Sequence, residues 1–159
     1  MIIRVVLIVL VFVSSSVFLN AQTDFGVKGG VNFTFFKVVE GDFGTNPSEE
    51  VGYYGGVFFD FEFEDKLHLQ PELLYIHIRD FQFLNAPIYL EYDIDRNFHI
   101  HVGPSLNYFF DFFSNKFKVR ADLGLAYNLS DSLDIHMKYT LGFEELAPNM
   151  VFLGVGYKL

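Results

Sequence analysis

The sequence predicts an all-β protein, an eight-stranded antiparallel up-and-down transmembrane β-barrel, on three observations. From Asp24 to Leu159 apolar residues alternate with polar or small ones over about eight segments, most as long as a tilted membrane crossing. Short polar turns follow every second segment, and longer connections follow most of the others. Glycines and charges share one face of the segments, and the opposite face is apolar. The clearest case is Phe98-His99-Ile100-His101-Val102-Gly103-Pro104-Ser105-Leu106-Asn107-Tyr108. Strand side chains point alternately to opposite sides, so one side of it is apolar and the other polar or small.

Segment one, about 24–36, sets Phe25, Val27, Val31, Phe33 and Phe35 against Asp24, Lys28, Asn32 and Thr34. Segment two, about 51–63, groups Val51, Tyr53, Val57, Phe59 and Phe61 opposite Tyr54, Gly56, Asp60 and Glu62. Segment three runs from Leu67 to Ile78, with Leu69, Leu73 and Tyr75 outward and His68, Gln70 and Glu72 inward. Segment four, about 86–94, opposes Ile88, Leu90 and Tyr92 to Tyr89, Glu91 and Asp93. Segment five is the histidine segment, about 97–110. Segment six, about 116–128, alternates Phe117, Val119 and Leu123 with Lys116, Lys118, Arg120 and Asp122. Segment seven, about 132–143, alternates Ile135, Met137 and Tyr139 with Asp134, His136 and Lys138. The last, about 150–159, sets Val151, Leu153, Val155, Tyr157 and Leu159 against Phe152, Gly154, Gly156 and Lys158.

Glu64-Asp65-Lys66, Asp95-Arg96-Asn97 and Ser130-Asp131-Ser132 are the short turns; the connection at 37–50 is long, and those after segments three and seven look looser. In an outer-membrane barrel the short turns lie in the periplasm.

The first residues stand apart. Arg4 gives a basic start, Val5 to Val13 are continuously apolar, three serines follow, and Val17 to Ala21 lead to Gln22. This is the layout of a secretory signal peptide over 1–21, although Leu19 is bulky for its place before the cut. Residues 22–159 then make one barrel domain. The chain lacks cysteine, which excludes a disulfide scaffold, thiolate metal sites and cysteine catalysis. A formal net charge of -9 disfavours nucleic acid as a partner.

Lipid outside and polar side chains inside is the favoured orientation. Eight strands can close, as lipid requires. Gly26, Gly30, Gly52, Gly56, Gly103, Gly124, Gly142, Gly154 and Gly156 sit on the polar face, where a narrow lumen needs room beside long side chains. Inward acids Asp60, Glu62, Glu72, Glu91 and Asp93 fall on segments two to four, and Lys116, Lys118, Arg120, Lys138 and Lys158 on six to eight. With Lys28 and Asp122 they form an expected lumen charge network, paired across the barrel. Phe58, Leu74, Ile76, Phe109 and Phe152 break the inward-polar rule and mark rims or packed plugs.

The start Phe25-Gly26-Val27-Lys28-Gly29-Gly30-Val31-Asn32 and then Gly55-Gly56-Val57-Phe58 resemble the small outer-membrane β-barrel proteins of Bacteroidetes-type bacteria, the porin-family or PorT-like group. Leu69-Gln70-Pro71-Glu72-Leu73-Leu74-Tyr75, Ala86-Pro87-Ile88-Tyr89-Leu90-Glu91-Tyr92, Val102-Gly103-Pro104-Ser105 and Gly154-Val155-Gly156-Tyr157-Lys158-Leu159 continue the resemblance along the mature chain. It implies the outer membrane, the barrel fold and insertion by the barrel-assembly machinery, with Tyr157 and Leu159 as the assembly signal. A terminal phenylalanine is the commoner ending in such barrels, and Leu159 departs from it. The resemblance implies no particular activity.

The polar face carries the candidate site residues. His99 and His101 share it, with His136 and His68 on other segments, and two histidines spaced i, i+2 can ligate a metal. Hydrogen bonding to Glu91 or Asp93 on the neighbouring segment is the preferred account, so no metal is expected. Ser105 lies on the face of His99 and His101, and Asp122 or Asp134 could orient a base, but spacing alone does not build a catalytic set. Phe109, Phe110, Phe112 and Phe113 surround one loop tip and suit the outer leaflet or a partner chain.

The sequence therefore points to a non-enzymatic outer-membrane protein with a structural or surface-interaction role, without a large pore and without a cofactor. Its surroundings are lipid, with a surface protein or glycan met through the loops. The alternatives are a secreted, soluble lipocalin-like barrel binding a small apolar ligand and, further off, an outer-membrane hydrolase.

Overall fold

The computed structural model describes residues 23–39, 45–79, 81–110, 116–142 and 149–159. The strands are β1 (Thr23–Val39), β2 (Thr45–Glu64), β3 (Leu67–Ile78), β4 (Phe81–Asp93), β5 (Phe98–Phe109), β6 (Phe117–Asn128), β7 (Leu133–Leu141) and β8 (Asn149–Lys158). Each pairs antiparallel with the next. β8 returns to β1, with Gly26 opposite Lys158 and Phe35 opposite Asn149, so the sheet is a closed barrel. Closure satisfies every edge, which is the condition for a sheet in hydrocarbon. The Leu159 backbone N–H donates to the Phe25 carbonyl at 2.8 Å and ties the last residue to the first strand.

Burial settles which way round the alternation runs. Val102 and Leu123 are each 51% exposed, whereas Asp122 beside Leu123 is 1% exposed. Val27, Leu73, Ile88, Ile135 and Val155 likewise point outward, and Lys28, Glu72, Glu91 and Lys138 point in. A soluble binding barrel would have the reverse arrangement, so the lipocalin-like alternative is overturned. Exposed Tyr92, Tyr127 and Tyr157 ring the end that carries the short hairpin turns, and Tyr53 and Tyr75 lie toward the other end, in the manner of interfacial girdles.

Two boundaries differ from the sequence expectation. β1 and β2 stay paired up to Val39 and Thr45, so most of the expected 37–50 loop is hairpin, and only 40–44 lies outside the described residues. Thr45-Asn46-Pro47-Ser48-Glu49-Glu50 carries no apolar alternation, and this part of the hairpin extends past the last β1–β8 pair, Phe35 with Asn149. β4 begins at Phe81 rather than near Ala86, which makes the link after β3 tight rather than loose, and Arg79 adopts a φ of 44° there. The reason is local: Phe83 is buried and points inward while Gln82 is exposed, the opposite of a polar lumen.

The lumen consequently has two halves. Toward the outer end, away from the short turns, Tyr54, Leu74, Ile76, Ile78, Phe83, Phe109, Met150 and Phe152 form one buried apolar cluster. The Phe83 and Phe109 rings stack at 4.6 Å, and Phe152 meets Tyr54 edge-on at 5.2 Å. Leu74, Ile76, Phe109 and Phe152 are expected rule-breakers gathered into a plug with Tyr54, Ile78, Phe83 and Met150, while Phe58, also expected, is buried outside this cluster. Toward the inner end the lumen is filled by charges and their hydrogen-bond partners.

Candidate functional site: the polar lumen

At the inner mouth Lys158 Nζ lies 3.0 Å from Asp60 and 3.4 Å from Asp24. Asp60 then meets His68 Nδ1 at 2.9 Å, and His68 Nε2 lies 3.3 Å from Asp93. Asp93 in turn meets His99 Nδ1 at 2.5 Å. These contacts lie beside the inner turns, so the Asp93 side chain keeps 25% of its exposure.

One level deeper, Lys28 Nζ donates to Glu72 at 2.6 Å and to Gln70 at 2.7 Å, and Gln70 donates to Glu91 at 3.1 Å. Glu91 also holds His101 through a short hydrogen bond to Nε2. On the other wall Asp134 meets His136 Nδ1 at 2.8 Å, and His136 Nε2 meets the Tyr54 hydroxyl at 2.7 Å. Glycine makes room for this last chain: a Cβ on Gly156 would overlap the Asp134 carboxylate, and one on Gly154 would overlap the Tyr54 hydroxyl. Beside it lies a cavity of about 20 Å³ lined by Lys28, Tyr54, Glu72, Tyr89, His136 and Lys138, room for one water molecule.

The third level belongs to Asp122. Ser105 Oγ donates to it at 2.9 Å and Tyr89 at 2.8 Å, and Lys138 Nζ lies 3.8 Å away. Lys138 also donates to Asn85 at 2.9 Å, and Asn85 donates to Asn107 at 3.0 Å. At the boundary between the halves the cations lie over aromatic rings: Lys138 over Phe152 at 4.3 Å, Lys28 over Phe58 at 4.7 Å and Arg120 over Phe109 at 5.5 Å.

Of the network named from sequence, Lys28, Asp60, Glu72, Glu91, Arg120, Asp122 and Lys138 are buried in the lumen. Asp93 and Lys158 are half-buried at the mouth, Glu62 is half-buried at the β2 bulge opposite His68, and Lys118 is half-buried near the start of β6. Lys116 departs from the expectation: it is exposed and precedes β6, because that strand begins at Phe117. Lys158 with Asp60 joins the last strand to the second as expected, but Glu72 takes its lysine from β1. Sequence reasoning left His68, Gln70, Tyr54, Tyr89, Asp134 and His136 out of the network. Strand parity already placed them inward; what was missing was their height along the barrel.

The conjectured catalytic set is not assembled. Ser105 donates to Asp122, while His101 is held by Glu91 and His99 by Asp93. The expected hydrogen bonding of His99 and His101 to the neighbouring strand is what the structure contains. Tyr157 and Leu159 are exposed on the lipid face. Phe110 is exposed and meets Tyr108 edge-on at 5.5 Å, whereas Phe112 and Phe113 lie outside the described residues.

A family model described as the outer membrane protein beta-barrel domain matches residues 20–79. No curated protein matches the sequence. Among solved structures, a de novo designed transmembrane β-barrel aligns with a TM-score of 0.56 at 19% identity, covering 87% of this chain and 95% of that one. Ail, the attachment invasion locus protein of Yersinia pestis, solved with the heparin analogue sucrose octasulfate, aligns at 0.57 with 12% identity, covering 87% and 99%. Neisserial surface protein A aligns at 0.56 with 14% identity, covering 87% and 98%. These likenesses are likenesses of fold. With the closed ladder and the exposed apolar belt, the chain is a small outer-membrane β-barrel.

Proposed function

We propose that the protein is a non-enzymatic outer-membrane barrel with a structural or surface-interaction role in the cell envelope and no large pore. The observation that carries this reading is the filled lumen, with a packed apolar plug above an ion-paired network. Membrane fractionation, heat-modifiable migration and planar-bilayer recording test it. The expected outcome is a membrane-bound, heat-modifiable protein with negligible conductance; large stable conductance steps would overturn the closed-lumen reading.

Within this reading residues 1–21 are the signal peptide, residues 22–159 are the mature barrel, and the chain belongs with the porin-family or PorT-like barrels of Bacteroidetes-type bacteria. The barrel-assembly machinery reads its end through Tyr157 and Leu159. Deleting 157–159 should deplete the protein from the membrane, and Leu159→Phe should preserve insertion. A surface protein or glycan would meet the β1–β2 hairpin, which continues past the last β1–β8 pair, Phe35 with Asn149. A highly sulfated ligand such as the heparin analogue in the Ail structure suits this chain poorly. Its net charge is -9, and Glu40, Asp42, Glu49, Glu50, Glu144 and Glu145 fall in sequence between β1 and β2, early in β2, or between β7 and β8.

A further inference from the structure

Prolines interrupt the barrel wall along one line. Apart from its bulge at Glu62 and Glu64, the β2–β3 ladder skips from Phe58–Glu72 to Phe61–Leu69, at Pro71. The β3–β4 ladder skips from Pro71–Ile88 to Leu74–Asn85, at Pro87, and the β4–β5 ladder from Pro87–Ser105 to Leu90–Val102, at Pro104. The other five ladders run without a gap over their described pairs. A strand residue offers its single N–H to one neighbouring strand, and a proline has none to offer. Accordingly each proline interrupts one ladder only: Pro71 still pairs with Ile88, Pro87 with Ser105 and Pro104 with Ala121.

By that register the carbonyls of Phe59, Glu72 and Ile88 face prolines instead of donors. Pro71 and Glu72 are consecutive, as are Pro87 and Ile88, so the gaps join into one crease across β2, β3, β4 and β5. At its β5 end a glycine lets the strands close up: a Cβ on Gly103 would overlap the Ile88 carbonyl oxygen. The crease falls where the two halves of the lumen meet. Glu72 lies on it. On the inner side Gln70, Glu91 and His101 belong to the polar network, and on the outer side Leu74, Ile76, Ile78, Phe83 and Phe109 belong to the plug. The other plug residues, Tyr54, Met150 and Phe152, stand on β2 and β8, whose ladders to β1 are unbroken. The plug is therefore shared between a creased wall and a continuous one. Lys138 of β7 ties to the creased wall by donating to Asn85 at 2.9 Å, and Arg79 meets Glu50 at 3.1 Å in an exposed pair that contributes little.

We propose that this crease is a hinge. The outer parts of β3 and β4, residues 73–78 and 81–86, flex about it and open the plug on that side, while β6, β7, β8, β1 and the polar network keep their places. The plug is then a gate that is closed at rest, and each opening admits water to the level of Tyr54, Asn85 and Lys138. Missing ladder bonds lower the cost of bending at the crease, and local opening follows such weak points.

The test is amide hydrogen exchange, read residue by residue by NMR on the full barrel in lipid nanodiscs. Amides of Leu74, Ile76, Phe83 and Asn85 should exchange at least about tenfold faster than those of Asn32, Val119 and Phe152 on the uninterrupted strands. The triple variant Pro71→Ala, Pro87→Ala, Pro104→Ala returns three N–H donors, and should slow the first set about tenfold without moving the second. Equal exchange in the two sets overturns the hinge. So does a folded triple variant whose first set stays fast, because fraying from the outer end, not the prolines, would then set the rate. If the triple variant does not fold, as heat-modifiable migration reports, Pro87→Ala alone, at the centre of the crease, is judged by the same two outcomes. Planar-bilayer recording keeps the two readings apart: large steps count against the closed lumen, whereas the exchange contrast bears on the hinge alone.

Discussion

The two halves of the lumen occupy the same face of the same strands yet are filled by opposite chemistry. On β3, Leu74, Ile76 and Ile78 point inward like His68, Gln70 and Glu72, and only their height along the barrel separates them. The outer half is filled mainly by closely packed aromatic and aliphatic side chains, with buried Asn32 and Thr34 hydrogen-bonded to each other opposite Phe152 and Met150. The inner half holds charges that must be paired and hydrogen-bonded, because an uncompensated buried charge is far more costly than a small void. Where the halves meet, Lys28, Lys138 and Arg120 lie over the rings of Phe58, Phe152 and Phe109, so aromatic faces are the transition between them. The lipid-facing surface is apolar along its length and records none of this.

Breaking the inner half should have the largest effect. Glu72→Leu strands the Lys28 ammonium inside the barrel and should cost about 4 kcal/mol in urea unfolding followed in lipid vesicles. The double variant Lys28→Met with Glu72→Leu makes that level resemble the plug, and its stability should return to within about 1 kcal/mol of wild type or exceed it. Failure of the double variant to recover would mean that the pair is tied to the rest of the network more strongly than to itself. Phe152→Ala breaks the other half, removing a ring that packs on Tyr54 and underlies Lys138, and should cost about 3 kcal/mol by the same measurement. A much larger loss would show that the plug and the network are one cooperative unit.

A smaller effect is expected at their junction. Tyr54→Phe keeps the ring in the plug and removes its hydrogen bond to His136, for about 1 kcal/mol. The smallest belongs outside both halves, at the exposed turn after β4. There Asp95 accepts hydrogen bonds from the backbone N–H of Asn97 at 2.8 Å and of Phe98 at 2.9 Å, which hold its carboxyl below the ordinary aspartate value. A depressed folded value means the stabilisation is fully present above the unfolded value and is lost as pH falls through the folded one. The gap in unfolding midpoint between wild type and Asp95→Ala should therefore be small near neutrality and close on acidification to about pH 2. A gap that stays constant with pH would show that turn geometry, not the charge, carries the effect.

Much of the barrel was legible along the chain because side-chain direction in a strand is a local property. Val102, Leu123 and Asp122 took their faces from parity alone, and the short polar turns at 64–66, 95–97 and 130–132 fixed the reversals. Legibility ended wherever no lipid or water enforced the alternation. The polar stretch 45–50 hid the continuation of the β1–β2 hairpin, and inward Phe83 hid the start of β4. Lys116 has the parity of a lumen residue, yet it lies one residue before β6 begins and is exposed.

By itself, then, the sequence determined the number of strands, their hand-over at the turns, and which side chains face lipid, since each follows from period-two geometry acting on neighbours in the chain. Only the closed tertiary structure decided which inward residues meet. Lys158 beside Asp60, Tyr54 beside His136 and Lys28 beside Glu72 are each fixed by the height at which strands that are not neighbours in the chain come to rest. That height depends on all eight pairings and on the closure of β8 against β1 together. No single segment encodes it, because strand tilt and register are properties of the ring.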